Sequence, residues 1–295
     1  SGKRKTLKQK KNEKVGDFKK RFNNIINNLN NNTYIASSNE TIISIVTNYI
    51  KQKKIDGFIS DRSYKRNTET VKQIEKTCSK FCNKPIQKVT VADIENAKEY
   101  MRKYSNSTIS KIWSLLYKSF KIAYSRRIIA YNIMEDETLV RPISINPNKK
   151  IEALTIEEEN KLEKILLAND NIYNTVLLLQ LYTGMRIGEV LALSKDCVDL
   201  KNNTLTVYRT ITRDGNDKVI LGKHTKTYDK KTGIDKGKRT FPLSTKAQKL
   251  LTSTMKDKIT NIHNLIFWDY NNNTFITDNE VNSYLKRLNA KNKIT

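Results

Sequence analysis

The 295-residue sequence predicts a mainly α protein with a small antiparallel β-sheet, laid out as a helical domain followed by an α+β domain. Three observations carry that class. Apolar residues recur every three or four positions over most of the chain. Alternating β-type runs with hairpin turn signals are confined to the region from Leu205 to Leu243. The clearest break in helical periodicity, residues 135–152 (EDETLVRPISINPNKKIE), contains Pro142 and Pro147.

The elements follow in order. Residues 1–37 begin basic and run into the Asn-rich NNIINNLNNNTYI, a pattern expected of the tail of an upstream domain, a short helix and a linker. From Ser38 the pattern turns helical, with Ile42, Ile43, Ile45, Val46 and Ile50 marking a first helix. A second follows Asn67 through Val71, Ile74 and Cys78. A third starts at Thr90, where Asp93 takes the place of Glu in a capping box. The fourth, residues 106–127, repeats Ile109, Ile112, Leu116, Phe120 and Ala123 at helical spacing. These four predict a compact all-α domain over 38–140, followed by a linker at 141–152. Residues 153–295 predict an α+β domain. Thr155 with Glu158 forms a capping box, NIYNTVLLLQLYT an apolar helix, and residues 186–193 a short one. LTVYRTIT, the Asp214-Gly215 turn signal, KVILG and RTFPL supply the strands. Helices return at 245–258 and 278–290, with a short strand near Leu265–Trp268, and Trp113 and Trp268 are expected in the core.

Composition narrows the function. With 9 Gly, 4 Pro and 3 Cys, collagen-like, low-complexity and disulfide-framework classes are excluded. No apolar run approaches the ~18–20 residues that span a bilayer, and no signal-peptide core opens the chain, so a soluble intracellular protein is expected. Cys78, Cys82 and Cys197 fit reduced thiols, and His occurs only at 224 and 263. No metal-ligand cluster, Walker loop or dinucleotide motif is present, so neither a metal nor a cofactor is expected. Lys and Arg number 55 against 30 acidic residues, a net charge of +25. Such an excess points to a polyanion, nucleic acid first and an anionic membrane second. A Lys-, Asn- and Ile-rich composition of the kind AT-rich genomes produce gives the same count. The charge is local, however: residues 1–20 carry nine basic residues and 222–239 carry seven.

The most informative segment runs from Leu181 to Leu193. An apolar helix stops at Thr183-Gly184 and another starts at Arg186, which places that guanidinium beside unpaired backbone N–H groups. Glu189, three residues on, can hold it in place. An ordinary Arg–Glu surface pair beyond a Gly-ended helix fits the same spacing.

Thr183-Gly184-Met185-Arg186-Ile187-Gly188-Glu189-Val190-Leu191-Ala192-Leu193, followed by Lys195-Asp196-Cys197-Val198-Asp199, resembles the first arginine motif of tyrosine recombinases. The form is that of phage and conjugative-transposon integrases. The resemblance implies the end of an arm-type DNA-binding region at 1–37, a helical core-binding domain at 38–140 and a catalytic domain at 153–295. It implies double-stranded DNA as partner, a synaptic tetramer on that DNA, and the bacterial cytoplasm as location. Arg186 takes the position that stabilises the non-bridging oxygens, with Glu189 supporting it. Thr225-Lys226-Thr227 and Arg239-Thr240-Phe241-Pro242-Leu243 match a Thr-Lys-Thr … Arg-x-x-Pro-Leu pattern. Lys226 then takes the place of the family's general acid, on the hairpin between the second and third strands. The intervening loop is long, and Lys223 stays open as a second candidate. Lys65 and Arg66 in the Ser63–Thr68 segment, Lys111 beyond Ser105–Ser110, Lys223 and Arg239 fall where such proteins touch DNA, although the serines equally fit ordinary N-caps.

The departure lies at the end. The family's His-x-x-Arg, a later His or Trp and the Tyr nucleophile are missing from this sequence. His263 is followed by Asn264-Leu265-Ile266, and VNSYLKRLNAKN resembles the helix that precedes the missing motif. Tyr284 in that helix is expected to pack. The chain is thus expected to be cut before the second half of its active site, and at its Ser-Gly-Lys start as well. It should bind DNA without cleaving it, while the parent recombines DNA through a 3′-phosphotyrosine. A non-catalytic basic DNA-binding protein derived from an integrase remnant is the alternative, and a type IB topoisomerase is a third.

Overall fold

A computed structural model describes residues 6–31, 34–146, 153–229, 232–256 and 261–292. The fold divides into two compact units, Ser1–Ile55 with Arg66–Lys149 and Asp56–Lys65 with Lys150–Thr295. No described helix is long and apolar enough to cross a membrane.

The first unit is helical: α1 (Val15–Asn30), α2 (Ile42–Ile55), α3 (Asp61–Thr77), α4 (Val91–Met101) and α5 (Asn106–Ser125), with the first residues of α3 falling in the second unit. Its core is the predicted stripe: Ile42, Ile45, Val46 and Ile50 of α2 and Ile109, Ile112, Leu116, Phe120 and Ala123 of α5 are buried. The Thr90 capping box forms in full. Thr90 Oγ1 accepts the Asp93 N–H at 3.2 Å, and the Asp93 carboxylate accepts the Thr90 N–H at 3.0 Å. Two boundaries differ from expectation. Helix α3 starts at Asp61, six residues before Asn67. Its first turns are charged and largely solvated, so they carry no apolar period, and Ser60 Oγ starts them by accepting the Ser63 N–H at 3.2 Å. Helix α1 takes up most of the Asn-rich stretch, burying none of its side chains.

Among the described residues the predicted break at 135–152 has no regular helix after Glu135, but it is not free of the first unit. Leu139 and Pro142 are buried; the Ser144 N–H donates to Asn106 Oδ1 at 2.9 Å and the Ile145 N–H to the Arg102 carbonyl at 2.9 Å. Residues 147–152 of the expected linker, and 1–5 of the basic start, lie outside the described residues. Cys78, Cys82 and Cys197 are free and buried, and burial pushes the Cys78 thiol up to about 12. Trp268 is buried, whereas Trp113 is only half-buried.

The second unit contains α6 (Ile156–Leu167), α7 (Ile172–Thr183), α8 (Ile187–Leu191), β1 (Val198–Asp199), β2 (Thr204–Val207), β3 (Ile211–Arg213), β4 (Val219–Leu221), β5 (Arg239–Pro242), α9 (Thr245–Met255), β6 (Trp268–Asp269), β7 (Thr274–Phe275) and α10 (Asp278–Asn292). Among the described residues the strands form three small antiparallel sheets, β1-β2-β5, β3-β4 and β6-β7. In the first, Thr204 faces Pro242 and Val207 faces Arg239. The LTVYRTIT run therefore splits in two. At the break Arg209 turns to the end of α8, donating to the Ala192 carbonyl at 3.2 Å and to Ser194 Oγ. Asp214 closes the β3–β4 hairpin by accepting the Asn216 and Lys218 N–H groups. Val176, Leu179, Val190, Leu205, Ala247, Leu251 and Val281 are fully buried and tie the helices to the sheet.

Candidate active site

The α7–α8 junction sets the first half of the site. Gly184 ends α7 in the left-handed region (φ 66°, ψ 14°), and its N–H closes on the Gln180 carbonyl at 2.8 Å. Arg186 follows as the N-cap of α8, with extended backbone (φ −68°, ψ 144°), and its carbonyl accepts the Glu189 and Val190 N–H groups. The guanidinium consequently projects from the helix start, and its side chain is 58% exposed. Gly188 lets α8 press onto β3: a Cβ there would lie 2.8 Å from the Ile211 carbonyl oxygen.

Glu189 is the anchor. It is 1% exposed and accepts from two arginines. Arg186 reaches Oε1 through Nη1 at 3.0 Å and Oε2 through its backbone N–H at 3.2 Å. Arg239, at the start of β5, donates through Nη2 to Oε2 at 2.8 Å and through Nη1 to Oε1 at 3.4 Å, and its Nη1 also reaches the Gly237 carbonyl at 3.1 Å. Burial pushes the Glu189 carboxyl up, but the bonds from Arg239, Arg186 and the Arg186 backbone outweigh it and hold the group below its ordinary value. The carboxylate thus stays charged and keeps two guanidiniums on one buried point. Arg239, expected as a DNA contact, is here part of the Arg186 support.

The second half departs from the expected hairpin. Thr225-Lys226-Thr227 lies in the β4–β5 connection, outside any strand. The Tyr228 N–H donates to the Thr225 carbonyl at 3.3 Å, so Lys226 and Thr227 are the central residues of a turn. Thr225 is buried, and Asp235 pins it. The Thr225 N–H donates to Asp235 Oδ2 at 2.8 Å, its hydroxyl donates to Oδ1 at 2.5 Å, and the Gly237 N–H reaches Oδ1 at 3.0 Å. Burial raises the Asp235 carboxyl, but these bonds prevail and lower it. His224 stacks on Tyr228 with ring centroids 3.7 Å apart. A Cβ at Gly237 would stand 2.0 Å from Thr225 Oγ1, which makes this glycine the close seam between turn and strand. Lys226 and Lys223 are exposed, and Lys230 and Lys231 of the same basic zone lie outside the described residues. The seam links the halves: Arg186, Glu189, Arg239, Gly237 and the Thr225–Thr227 turn follow one another in contact.

The phage integrase family model matches residues 152–295, the stretch that contains every residue of this site. Over this stretch, just under half of its length, the chain is similar to the phage integrase family. Solved integrases share the fold over more than that domain. One is the Tn1549 transposon integrase in complex with a circular intermediate DNA, with a TM-score of 0.70 and 16% identity over 86% of this chain and 78% of that one. A lambda integrase dimer bound to a COC′ core site gives 0.58 and 16% over 84% and 80%. A lambda integrase tetramer bound to a Holliday junction gives 0.56 and 16% over 85% and 63%. No curated protein sequence matches the chain.

Other expected positions are not part of the Arg186–Glu189–Arg239 cluster. Lys65, in α3, forms an ion pair with Asp217, and Arg66 is exposed. Lys111 is exposed in the first unit, where it lines a shallow groove of about 400 Å³ between α3 and α5 with Asn67, Thr70, Ser107, Ser110 and Ser114. Tyr284 packs its ring 5.3 Å from that of Tyr173 and donates its hydroxyl to Asn174 Oδ1 at 2.7 Å. His263 stacks on Phe275 beside Trp268. Among the described residues no cluster of His, Cys, Asp and Glu could hold a metal ion. Sequence reasoning missed Asp235 and Gly237. Their Asp-x-Gly spacing, just before the Arg239 strand, is the turn signal that marks them.

Proposed function

We propose that this chain serves site-specific DNA recombination or integration of a mobile element, in the bacterial cytoplasm, and works as a tetramer on duplex DNA. The observation that carries the reading is the pair of guanidiniums on buried Glu189, within a stretch similar to the integrase family. The DNA-bound state of the similar integrases, and the tetramer on a Holliday junction among them, support the choice of partner and assembly. In this reading residues 38–140 grip the core site, residues 1–37 end an arm-binding region, and 153–295 supply the chemistry.

Fixed N–H donors on Arg186, held by the Glu189 that Arg239 also engages, suit the charge that grows on the non-bridging oxygens of a phosphorane-like transition state, because they need no reorganisation as it forms. Lys226 supplies what arginine cannot, a proton for the departing 5′ oxygen. A tyrosine hydroxyl attacking phosphorus would form the 3′ phosphotyrosine as the P–O5′ bond breaks, conserving the ester for rejoining without ATP. Tyr284 is committed to Asn174 and Tyr173, so these 295 residues on their own are expected to hold DNA without attaching to it.

Two measurements test this. Duplex binding should weaken steeply with salt, each neutralised phosphate contributing roughly −0.9 to the log–log slope; a flat response sinks the reading. A nicked suicide duplex run on denaturing gels should show no protein-linked band, and a band would make Tyr284 the first nucleophile to test. Arg186 is probed separately by binding alone. A neutral methylphosphonate at the contacted phosphate should cost the wild-type chain about tenfold in affinity, the loss of one charge-assisted contact of about 1.4 kcal/mol, and should cost Arg186→Ala nothing.

A further inference from the structure

Helix α1 buries none of its side chains, whereas every other described α-helix buries at least one. Phe22 is 43% exposed and Leu29 53%, and Val15 and Ile26 are exposed with them. The apolar residues are strictly spaced. Val15, Phe18, Phe22, Ile25 and Leu29 follow at intervals of three, four, three and four, the a and d positions of successive heptads. A helix lying on a globular core carries a broader stripe, so this narrow seam is the pattern of one helix set against another. Its first half is already ordered: the Phe18 and Phe22 rings pack at 6.3 Å, and Arg21 is held by Glu13 at 2.7 Å. Charge is one-sided along the axis. Asp17, Lys19, Lys20 and Arg21 all precede Phe22, and no charged residue follows up to Asn30.

We propose that α1 pairs antiparallel with α1 of a second copy of this chain, joining two chains in the absence of DNA. The other described helices spend their apolar residues in their own units, which leaves a second α1 as the helix of matching period. Charge selects the direction. A parallel pair sets Lys14, just before the helix, against Lys19 of the second copy, a g–e′ pair of like charges. In an antiparallel pair Phe18 meets Leu29 of the second copy and Phe22 meets Ile25. Lys19 then faces Ile26 and Arg21 faces Asn28, so the cationic half of each helix lies on the neutral half of the other. An anionic membrane is disfavoured as the cover. Helices that lie in lipid headgroups carry cations along the polar face, and beyond Arg21 the polar face of α1 is asparagine throughout. This pairing needs no nucleic acid and does not depend on the DNA-binding reading.

The test is sedimentation equilibrium of the nuclease-treated 295-residue chain without DNA. Reversible association to two chains is expected at micromolar concentrations, and it should not weaken as salt rises, because the seam is apolar and its cations stand apart. The combined variant Phe22→Glu, Ile25→Glu should raise the dissociation constant at least tenfold. A charge-matched control on the polar face, Asn23→Glu with Asn27→Glu, should leave it within about threefold. Thermal melts of both variants should coincide with the wild type, since α1 buries no side chain. Direction is read by mixing Lys19→Cys chains with Ile26→Cys chains, the native cysteines being buried. The mixed disulfide should form ahead of either homodisulfide. A chain that stays single at these concentrations overturns the proposal, as does a seam variant that associates like the wild type. Two-chain species that never give the mixed disulfide overturn the antiparallel pairing. A single-chain species that the seam variant releases from vesicles of phosphatidylcholine and phosphatidylglycerol would assign the face to a lipid surface and overturn it too.

Discussion

Arg186 and Lys226 belong to one domain but stand on different kinds of support. Arg186 shares a 1%-exposed carboxylate with Arg239, and a helix start and a strand start converge on that point. Lys226 sits at the tip of a turn whose anchor, Asp235, is only half-buried and whose flanks belong to a long connection between β4 and β5. The contrast matches what each cation would do in the proposed reaction. A group that answers developing charge gains from a geometry fixed in advance, here by a buried carboxylate behind an exposed guanidinium. A proton donor must reach its acceptor and be recharged from solvent, so exposure serves it.

Breaking the buried support should have the largest effect. Glu189→Gln leaves two guanidiniums side by side with no shared countercharge. Their partial exposure lets water recover part of the loss, and about 2 kcal/mol of stability should go, a fall of roughly 4–8 °C in Tm. Because folding lowers this carboxyl, its stabilisation is complete above its ordinary 4.5 and is lost as pH falls through the lower folded-state value. The difference in Tm between wild type and Glu189→Gln should therefore close in acid, and a difference that widens there would refute the shared-carboxylate account.

Gly237→Ala attacks the seam. Its Cβ would overlap Thr225 Oγ1 and Thr227 Oγ1, so the turn must move, at a cost of about 1–3 kcal/mol by thermal melt. If the halves are coupled through this residue, phosphate discrimination by Arg186 should weaken as well. Asp235→Asn is milder, about 1 kcal/mol, since the amide keeps part of the Thr225 and Gly237 bonding. Its carboxyl is also lowered, so the loss seen above the usual carboxylate range should shrink as pH drops through the folded value. Lys226→Ala is the smallest, within about 0.5 kcal/mol, as befits an exposed side chain. Reductive methylation with mass spectrometry then sharpens the assignment. Lys226 should react in the free protein and be shielded on DNA, and shielding of Lys223 alone would move the role to that residue.

What was legible in the sequence follows the distance between partners. The capping boxes at Thr90 and Thr155 each need a partner three residues away, and both form as spaced. The Arg186–Glu189 pair was visible for the same reason. Arg239 lies fifty residues from Glu189, and no local pattern announces that they share a carboxylate. The family pattern pointed to Lys226 but put it on a hairpin, because strand signals do not reveal that Asp235 folds the segment into a turn. The early start of α3 was hidden for a simpler reason. A solvated helix turn needs no apolar residue, so it leaves no period to read.

One carboxylate serving two arginines also constrains how this protein can change over generations. Neither position 189 nor position 239 is free to drift alone, since losing Glu189 strands two cations and losing Arg239 leaves a buried oxygen under-satisfied. Substitution at one should therefore travel with substitution at the other. Homologues would then show 186, 189 and 239 changing together or not at all.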